Sequence, residues 1–187
     1  MIGSLTAFGG WKIPGADIGD HCILDSVRLT RHLYSAPGFG VGEVWVRDAV
    51  IIQHELASNA ISDSGERAGN SDELVREVSA RFASHLTGVR TTYSDLPIDL
   101  DWATVLQREL ARAAREIPWG EIVSYGELAA LAGRPGAARA AGSFCSDNRY
   151  SLIIPCHRVV AANGIGGYGR SGVELKRRLL GLEGVTM

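Results

Sequence analysis

The sequence predicts a two-part α/β (α+β) protein: a small N-terminal antiparallel sheet with a helix, then a mainly helical half. Three observations predict it. Val44, Val46, Val50 and Ile52 frame Arg47-Asp48-Ala49, which reads as strand–turn–strand. Leu74, Val78, Phe82 and Leu86 recur every four residues, the stripe of an amphipathic helix. Beyond residue 100, helical stripes follow one another, punctuated by glycine and proline.

Taken in order, the first 40 residues carry Gly9-Gly10, Pro14-Gly15 and Pro37-Gly38-Phe39-Gly40, the composition of loops and turns. The polar, small stretch from Ala60 to Gly69 reads as an exposed loop. Asn70 with Glu73 forms a capping-box start for the first helix, which ends at Gly88. Leu96 to Leu100, with Pro97 inside it, reads as a linker. It divides the chain into an N-terminal α/β domain, 1–95, and a C-terminal domain, 98–187. In the second half, Trp102, Leu106, Leu110, Ala113/Ala114 and Ile117 form one stripe, stopped by Pro118 and Gly120. Ser124-Tyr125-Gly126-Glu127 is a capping box, opening a short helix through Leu128 and Leu131 that Gly133 closes. After the turn Arg134-Pro135-Gly136, Ala137 to Phe144 makes a second short helix. Two short helices about a Gly/Pro turn are the layout of a helix-turn-helix. Ser171-Gly172-Val173-Glu174 reads as a further capping box, before a last helix with Leu175, Leu179 and Leu182 on one side.

The 187 residues, 45% apolar and 21% charged, suffice for one large or two small domains. No apolar run approaches the ~20 residues of a membrane span, and no signal peptide is read at the N-terminus. Cys22, Cys145 and Cys156 are too few and too uneven for a disulfide framework and point to a reducing compartment. No CxxC or HxxxH pair offers zinc ligands, and His21-Cys22 alone do not complete a tetrahedral shell. The net charge of −2 hides an asymmetry: residues 1–95 hold 8 basic and 12 acidic side chains, residues 96–187 hold 11 and 9. Between Gly133 and Leu180 there are 8 basic residues against 2 acidic ones, either a phosphate-binding footprint or a solvated arginine-rich surface.

The chemistry centres on Pro155-Cys156-His157-Arg158-Val159, which follows the apolar run Leu152-Ile153-Ile154. A thiol is strongly nucleophilic only as thiolate, and a nearby imidazole can supply that state at neutral pH. Adjacent side chains in a strand point to opposite faces. Cys156 and His157 therefore need a turn between them, or a water to carry the proton, and Pro155 makes a turn plausible. Taken alone, Cys156 also fits a buried structural cysteine.

The flanks carry a resemblance. Ile117-Pro118-Trp119-Gly120-Glu121, Ser124-Tyr125-Gly126-Glu127-Leu128, Ala138-Arg139-Ala140-Ala141-Gly142 and Asn148 precede the pentapeptide. Gly166-Gly167-Tyr168, Lys176, Leu179-Leu180 and Glu183-Gly184 follow it. Over roughly residues 100 to 184 this order and spacing resembles the O6-alkylguanine-DNA alkyltransferases, also called methylated-DNA–protein-cysteine methyltransferases.

The resemblance implies a winged helix-turn-helix and an irreversible transfer of an alkyl group from O6 of guanine in duplex DNA to Cys156. It implies that His157 takes the thiol proton through water and that Glu183 orients His157. Asn148 would brace the active-site turn. Arg139, among Ala138, Ala140 and Gly142, would enter the minor groove and fill the stack left by an extruded base. Tyr125 would help rotate the nucleotide. Pro155, Val159, Tyr168 and Ser171 would line the substrate pocket, although Ser171 is read first as a helix cap. The family often has proline after the asparagine, where Arg149-Tyr150 stand here. It usually has Phe-Gln before the Ile-Pro-x-Gly motif, where Leu106-Gln107 stand. No metal or organic cofactor is implied. The expected partner is double-stranded DNA carrying O6-alkylguanine, and the expected protein is a monomer in the cytoplasm. A non-enzymatic lesion-binding relative, which typically lacks the cysteine, and a helix-turn-helix regulator, which leaves Pro155–Val159 unexplained, are the competing readings. A cysteine hydrolase would need an oxyanion hole that nothing in the sequence marks.

Overall fold

The computed structural model describes residues 29–58 and 73–187. His21, Cys22, the turns before residue 29, the Ala60–Gly69 loop and the Asn70 cap lie outside the described residues. The order of elements is β1 (Leu29–Ala36), β2 (Gly40–Arg47), β3 (Val50–Ser58), α1 (Glu73–Leu86), α2 (Val105–Arg115), β4 (Val123–Ser124), α3 (Tyr125–Leu131), α4 (Ala138–Ser146), a 3-10 turn (Cys156–Arg158), β5 (Val159–Val160) and α5 (Gly172–Leu182).

The first three strands form an antiparallel sheet in the order β1-β2-β3. The β2–β3 turn is two residues long, with Asp48 at φ 50 and Ala49 at φ 61. Two successive positive φ angles match the right-handed twist of the flanking strands, and the sheet holds even Ala49 in this unfavourable region. Along β2, Gly42, Val44 and Val46 point inward. Gly42 is fixed by packing: a Cβ there would lie 2.3 Å from the Tyr34 ring. Helix α1 packs against the sheet, buries Val75, Val78, Phe82, His85 and Leu86, and stops at Gly88, φ +85.

The segment expected as a linker is fastened to β3. Ile51 N–H donates to Pro97 O at 3.0 Å, and Asp99 N–H donates to Ile51 O at 2.9 Å. Further along the same strand, His54 N–H donates to Arg149 O at 2.8 Å, so β3 also meets the chain leading into Cys156. Helix α2 begins with a capping box from Thr104 and Gln107 and buries Leu110, Ala111 and Ala114. Trp102, expected on its stripe, precedes the helix and donates its indole N–H to Asp99 O at 3.0 Å.

The Ser124–Glu127 capping box is present, and α3 and α4 pack together about Leu128, Ala129, Ala141 and Phe144. The parallel pair β4–β5 ties the start of α3 to the residues after the 3-10 turn. The expected capping box at Ser171 is absent. Ser171 takes the N-cap position in a helical conformation, φ −72 and ψ −17, and makes no side-chain cap bond. A cap side chain needs an extended backbone to reach the N3 amide, and Glu174 pairs with Arg177 instead. One continuous apolar core runs from Tyr34 and Phe82 through Leu110 and Leu128 to Ile153, Cys156 and Leu179, so the active-site turn is part of the core.

Candidate active site

The chain reaches Cys156 through a strained, heavily braced segment. Leu152, Ile153 and Ile154 are all buried, and Leu152 has φ 68, a rare conformation for a branched residue. Ile154 N–H donates to Tyr150 O at 2.8 Å, and Cys156 N–H donates to Ile154 O at 2.7 Å. Asn148 uses both ends of its amide. Its Nδ2 donates to Ile154 O at 2.8 Å and to Cys156 Sγ at 3.0 Å, while its Oδ1 accepts from Tyr150 N–H at 2.9 Å. In place of a proline after Asn148, tertiary contacts hold the segment. The Arg149 guanidinium lies 4.2 Å over the Trp102 ring, and the Tyr150 hydroxyl donates to Asp99 O.

The turn required between Cys156 and His157 is the 3-10 turn that follows Pro155. It sends His157 toward the C-terminus of α5. There His157 Nε2 meets Glu183 Oε1 at 2.9 Å, with both side chains fully buried. Glu183, at the C-cap, also accepts from Gly120 N–H at 3.1 Å, from Arg158 Nε at 2.9 Å and from Arg158 Nη2 at 2.9 Å. Arg158 Nη1 donates to Ile117 O at 2.7 Å, so the guanidinium is clamped as well.

These contacts fix the protonation pattern. Burial pushes the Glu183 carboxyl up, but the bonds from His157 and Arg158, with the nearby His85 ring, outweigh it and hold the group well below the usual carboxylate range. An ionised Glu183 can only accept, so His157 carries its hydrogen on Nε2 and its basic lone pair on Nδ1. Burial lowers the His157 pKa to about 4 against the opposing pull of Glu183, which keeps the ring neutral at pH 7. Burial raises the Cys156 thiol, while the Asn148 hydrogen bond and the Lys176 charge lower it. At rest Cys156 is therefore a thiol.

The other candidates lie around this centre. Pro155, Val159 and Tyr168 are buried about the turn. Tyr125, half-buried at the start of α3, packs on the glycine loop: a Cβ on Gly166 would come within 2.9 Å of its hydroxyl. Arg139 is exposed on α4, with Ala138, Ala140 and Gly142 half-buried beside it. Ser171 is exposed at the head of α5.

Three contributors escaped the sequence reading. Lys176 is fully buried and donates to Val159 O at 2.6 Å and Gly167 O at 3.0 Å, pinning the glycine loop to β5 beside Cys156. Its place among the leucines of α5 was the available signal. Arg158 stands inside the motif, where the sequence alone shows it as one more positive charge. His85 reaches the site from α1, and no local pattern announces that. Among the described residues, His85, His157 and Glu183 are the group whose ligand atoms lie close enough to hold a metal ion.

The fold and site define a class: a helix-turn-helix protein with a buried cysteine next to a carboxylate-anchored histidine. Residues 105–185 match the family described as 6-O-methylguanine DNA methyltransferase, DNA binding domain. A methylated-DNA–protein-cysteine methyltransferase of Metallosphaera sedula is 46% identical over 104 residues, 56% of this chain and 64% of that protein. One of Mycobacterium bovis is 43% identical over 122 residues, 65% of this chain and 67% of that protein. The chain thus spans about two thirds or less of these curated relatives. The crystal structure of Mycobacterium tuberculosis OGT in complex with DNA superposes with a TM-score of 0.67 at 30% identity, covering 82% of this chain and 92% of that one. The chain belongs to the methylated-DNA–protein-cysteine methyltransferase family.

Proposed function

We propose that this protein repairs DNA by moving the alkyl group of O6-alkylguanine in a duplex onto Cys156. The observation that carries the reading is the arrangement of Asn148 on the thiol and Glu183 on His157, set directly behind a helix-turn-helix. The names of its relatives and the DNA-bound neighbouring structure support it.

The chemistry follows from the groups present. His157 Nδ1 takes the Cys156 proton through a bridging water. The imidazolium is stabilised by the Glu183 carboxylate on its other nitrogen, and the nascent thiolate by the Asn148 amide and Lys176. The sulfur attacks the alkyl carbon in line; the C–S bond forms as the C–O6 bond breaks, and the guanine anion is neutralised by one proton from solvent as the His157 imidazolium returns one to it, so the thiol hydrogen ends on the base. Donors that meet the charge developing on the base lower this barrier. Tyr125 is the candidate at N3, and the Tyr168–Ser171 loop the candidate near O6. A target inside the base stack is out of reach of a buried sulfur, so the nucleotide must be flipped. The exposed Arg139 would fill the gap, while the small side chains of Ala138, Ala140 and Gly142 let α4 approach the minor groove closely. The thioether is stable and the site offers nothing to hydrolyse it, so each chain acts once. We read residues 98–187 as the binding and transfer unit and residues 1–95 as its support, working as a monomer inside the cell. No helix of the described residues is long and apolar enough to cross a membrane.

The test follows the DNA. With a duplex carrying one O6-methylguanine, the lesion should disappear in proportion to added protein, one per chain, and stop. Continued loss beyond that ratio, or lesion binding with no loss, contradicts the reading.

A further inference from the structure

Glu183 has one more titratable neighbour than the transfer chemistry needs. His85, in the last turn of α1, is fully buried. Its ring packs against Trp119, with centroids 4.7 Å apart, and Tyr93 at 5.7 Å, and meets His157 nearly edge-on at 5.8 Å. Neither of its ring nitrogens has a well-formed hydrogen bond. Yet Nε2 stands 3.4 Å from Glu183 Oε1, the oxygen that His157 Nε2 meets at 2.9 Å. That separation is beyond the range of a good N–H···O bond, so the contact is electrostatic and loose.

Two histidines and a carboxylate suggest a metal site, but Arg158 argues against one. Its guanidinium donates to both oxygens of the same carboxylate, a permanent cation where a divalent ion would have to sit. A proton is what this cluster can share.

We propose that His85 is a second positioning residue of the proton relay: by sharing Glu183 Oε1 with His157, it keeps His157 neutral, and so able to accept the Cys156 proton, in mildly acid solution. The proposal rests on reading His157 as the proton acceptor. The groups facing His85 are Glu183 from the C-cap of α5, His157 and Arg158 from the 3-10 turn, Tyr93 from the segment after α1 and, from β3, the buried neutral His54. Arg158 and Glu183 cancel in charge, which leaves the two imidazoles to compete for one carboxylate oxygen. A carboxylate that faces two imidazoles stabilises either imidazolium less than it would a single one. Two rings this close also resist carrying charge together, so their titrations are linked. Without His85, Oε1 still accepts from Arg158 but faces a single imidazole, and His157 protonates at higher pH.

The test is single-turnover transfer from O6-methylguanine duplex between pH 3.5 and 8.5, using His85→Phe and His85→Gln. Phenylalanine keeps the ring packing on Tyr93 and Trp119, and glutamine keeps an N–H donor. His85→Phe should move the midpoint of the acid limb up by about 1 pH unit, with a loss of about twofold at pH 5 that grows toward pH 4 and fades by pH 7. His85→Gln should stay closer to the parent profile. An unmoved midpoint, or an equal loss at every pH, overturns the proposal. In the unsubstituted protein, the His85 and His157 ring resonances should shift together as pH falls; independent titration overturns it equally. Full-rate transfer by His157→Ala is the separate sign that the relay itself is wrong, and it removes the proposal with it.

Discussion

His157 Nε2 lies 2.9 Å from Glu183 Oε1, so two buried side chains 26 residues apart form one hydrogen-bonded unit next to Cys156. If they work as a unit, their losses do not multiply. His157→Ala should slow transfer at pH 7 by tenfold or more, and adding Glu183→Gln should cost little further rate. Glu183→Gln also leaves the Arg158 charge buried without its partner, so a stability loss of about 3 kcal/mol is expected. Stopped-flow rates and urea midpoints separate the two effects. A folded Glu183→Gln protein with the original rate from pH 5 to 9 would reduce Glu183 to a structural role.

Asn148 joins three atoms of the active-site segment. Asn148→Ala leaves a buried carbonyl and an amide N–H without that partner and should cost about 2 kcal/mol. It should also raise the Cys156 thiol further, since the amide is among the groups holding it down. Transfer should slow most below pH 8 and recover in part as pH rises. A uniform loss with no pH dependence would assign Asn148 to bracing alone.

Much of this was legible in the chain itself. The β2–β3 hairpin, α1 and the helix-turn-helix follow from apolar period and punctuation, and the turn at Cys156 from the geometry of neighbouring side chains. What escaped are contacts between distant segments. Pro97 looks like a linker residue, yet its carbonyl caps the edge of β3, because proline lacks only the donor. His85 and His54 are ordinary members of a helix and a strand until the fold brings them to Glu183 and Ser151. Ser171 shows the converse failure. Its spacing to Glu174 suits a capping box, but its backbone is already helical, so the pattern has no geometry to act through.

Acid should destabilise the protein through its buried histidines. His54 donates Nδ1–H to Ser151 O at 2.5 Å and accepts from the Tyr34 hydroxyl at 2.8 Å, and burial lowers its pKa to about 3. His157 is lowered to about 4. Unfolded histidine titrates near ~6.5, so below that pH the unfolded chain binds protons that the folded chain refuses. Stability should be nearly constant from about pH 6.5 to 8 and fall toward pH 4 by about 1.4 kcal/mol per pH unit for each such histidine. Urea midpoints at pH 7.5, 6 and 5 measure this. His54→Phe should be less stable at pH 7.5 but show a shallower fall. Equal stability of the unsubstituted protein at pH 7.5 and 5 would contradict the neutral, buried assignment.

Arg139 is exposed on α4, away from the hydrogen bonds that hold the turn. Arg139→Ala should slow repair of duplex substrate at least tenfold, yet barely affect reaction with free O6-benzylguanine, where no base needs flipping. Equal losses on both substrates would place Arg139 in the fold or the pocket.

Cys156 as the single alkyl acceptor is the central claim, and the mass of the protein after reaction tests it most directly. Two described cysteines are buried in the same core, Cys145 and Cys156, but only Cys156 has the Asn148 amide on its sulfur. After incubation with excess O6-methylguanine duplex, every chain should gain one methyl group, mapped by peptide digestion to Cys156, and Cys156→Ala should gain none while still binding DNA. A methyl group on Cys22 or Cys145, or lesion loss with no gain in protein mass, would contradict the account.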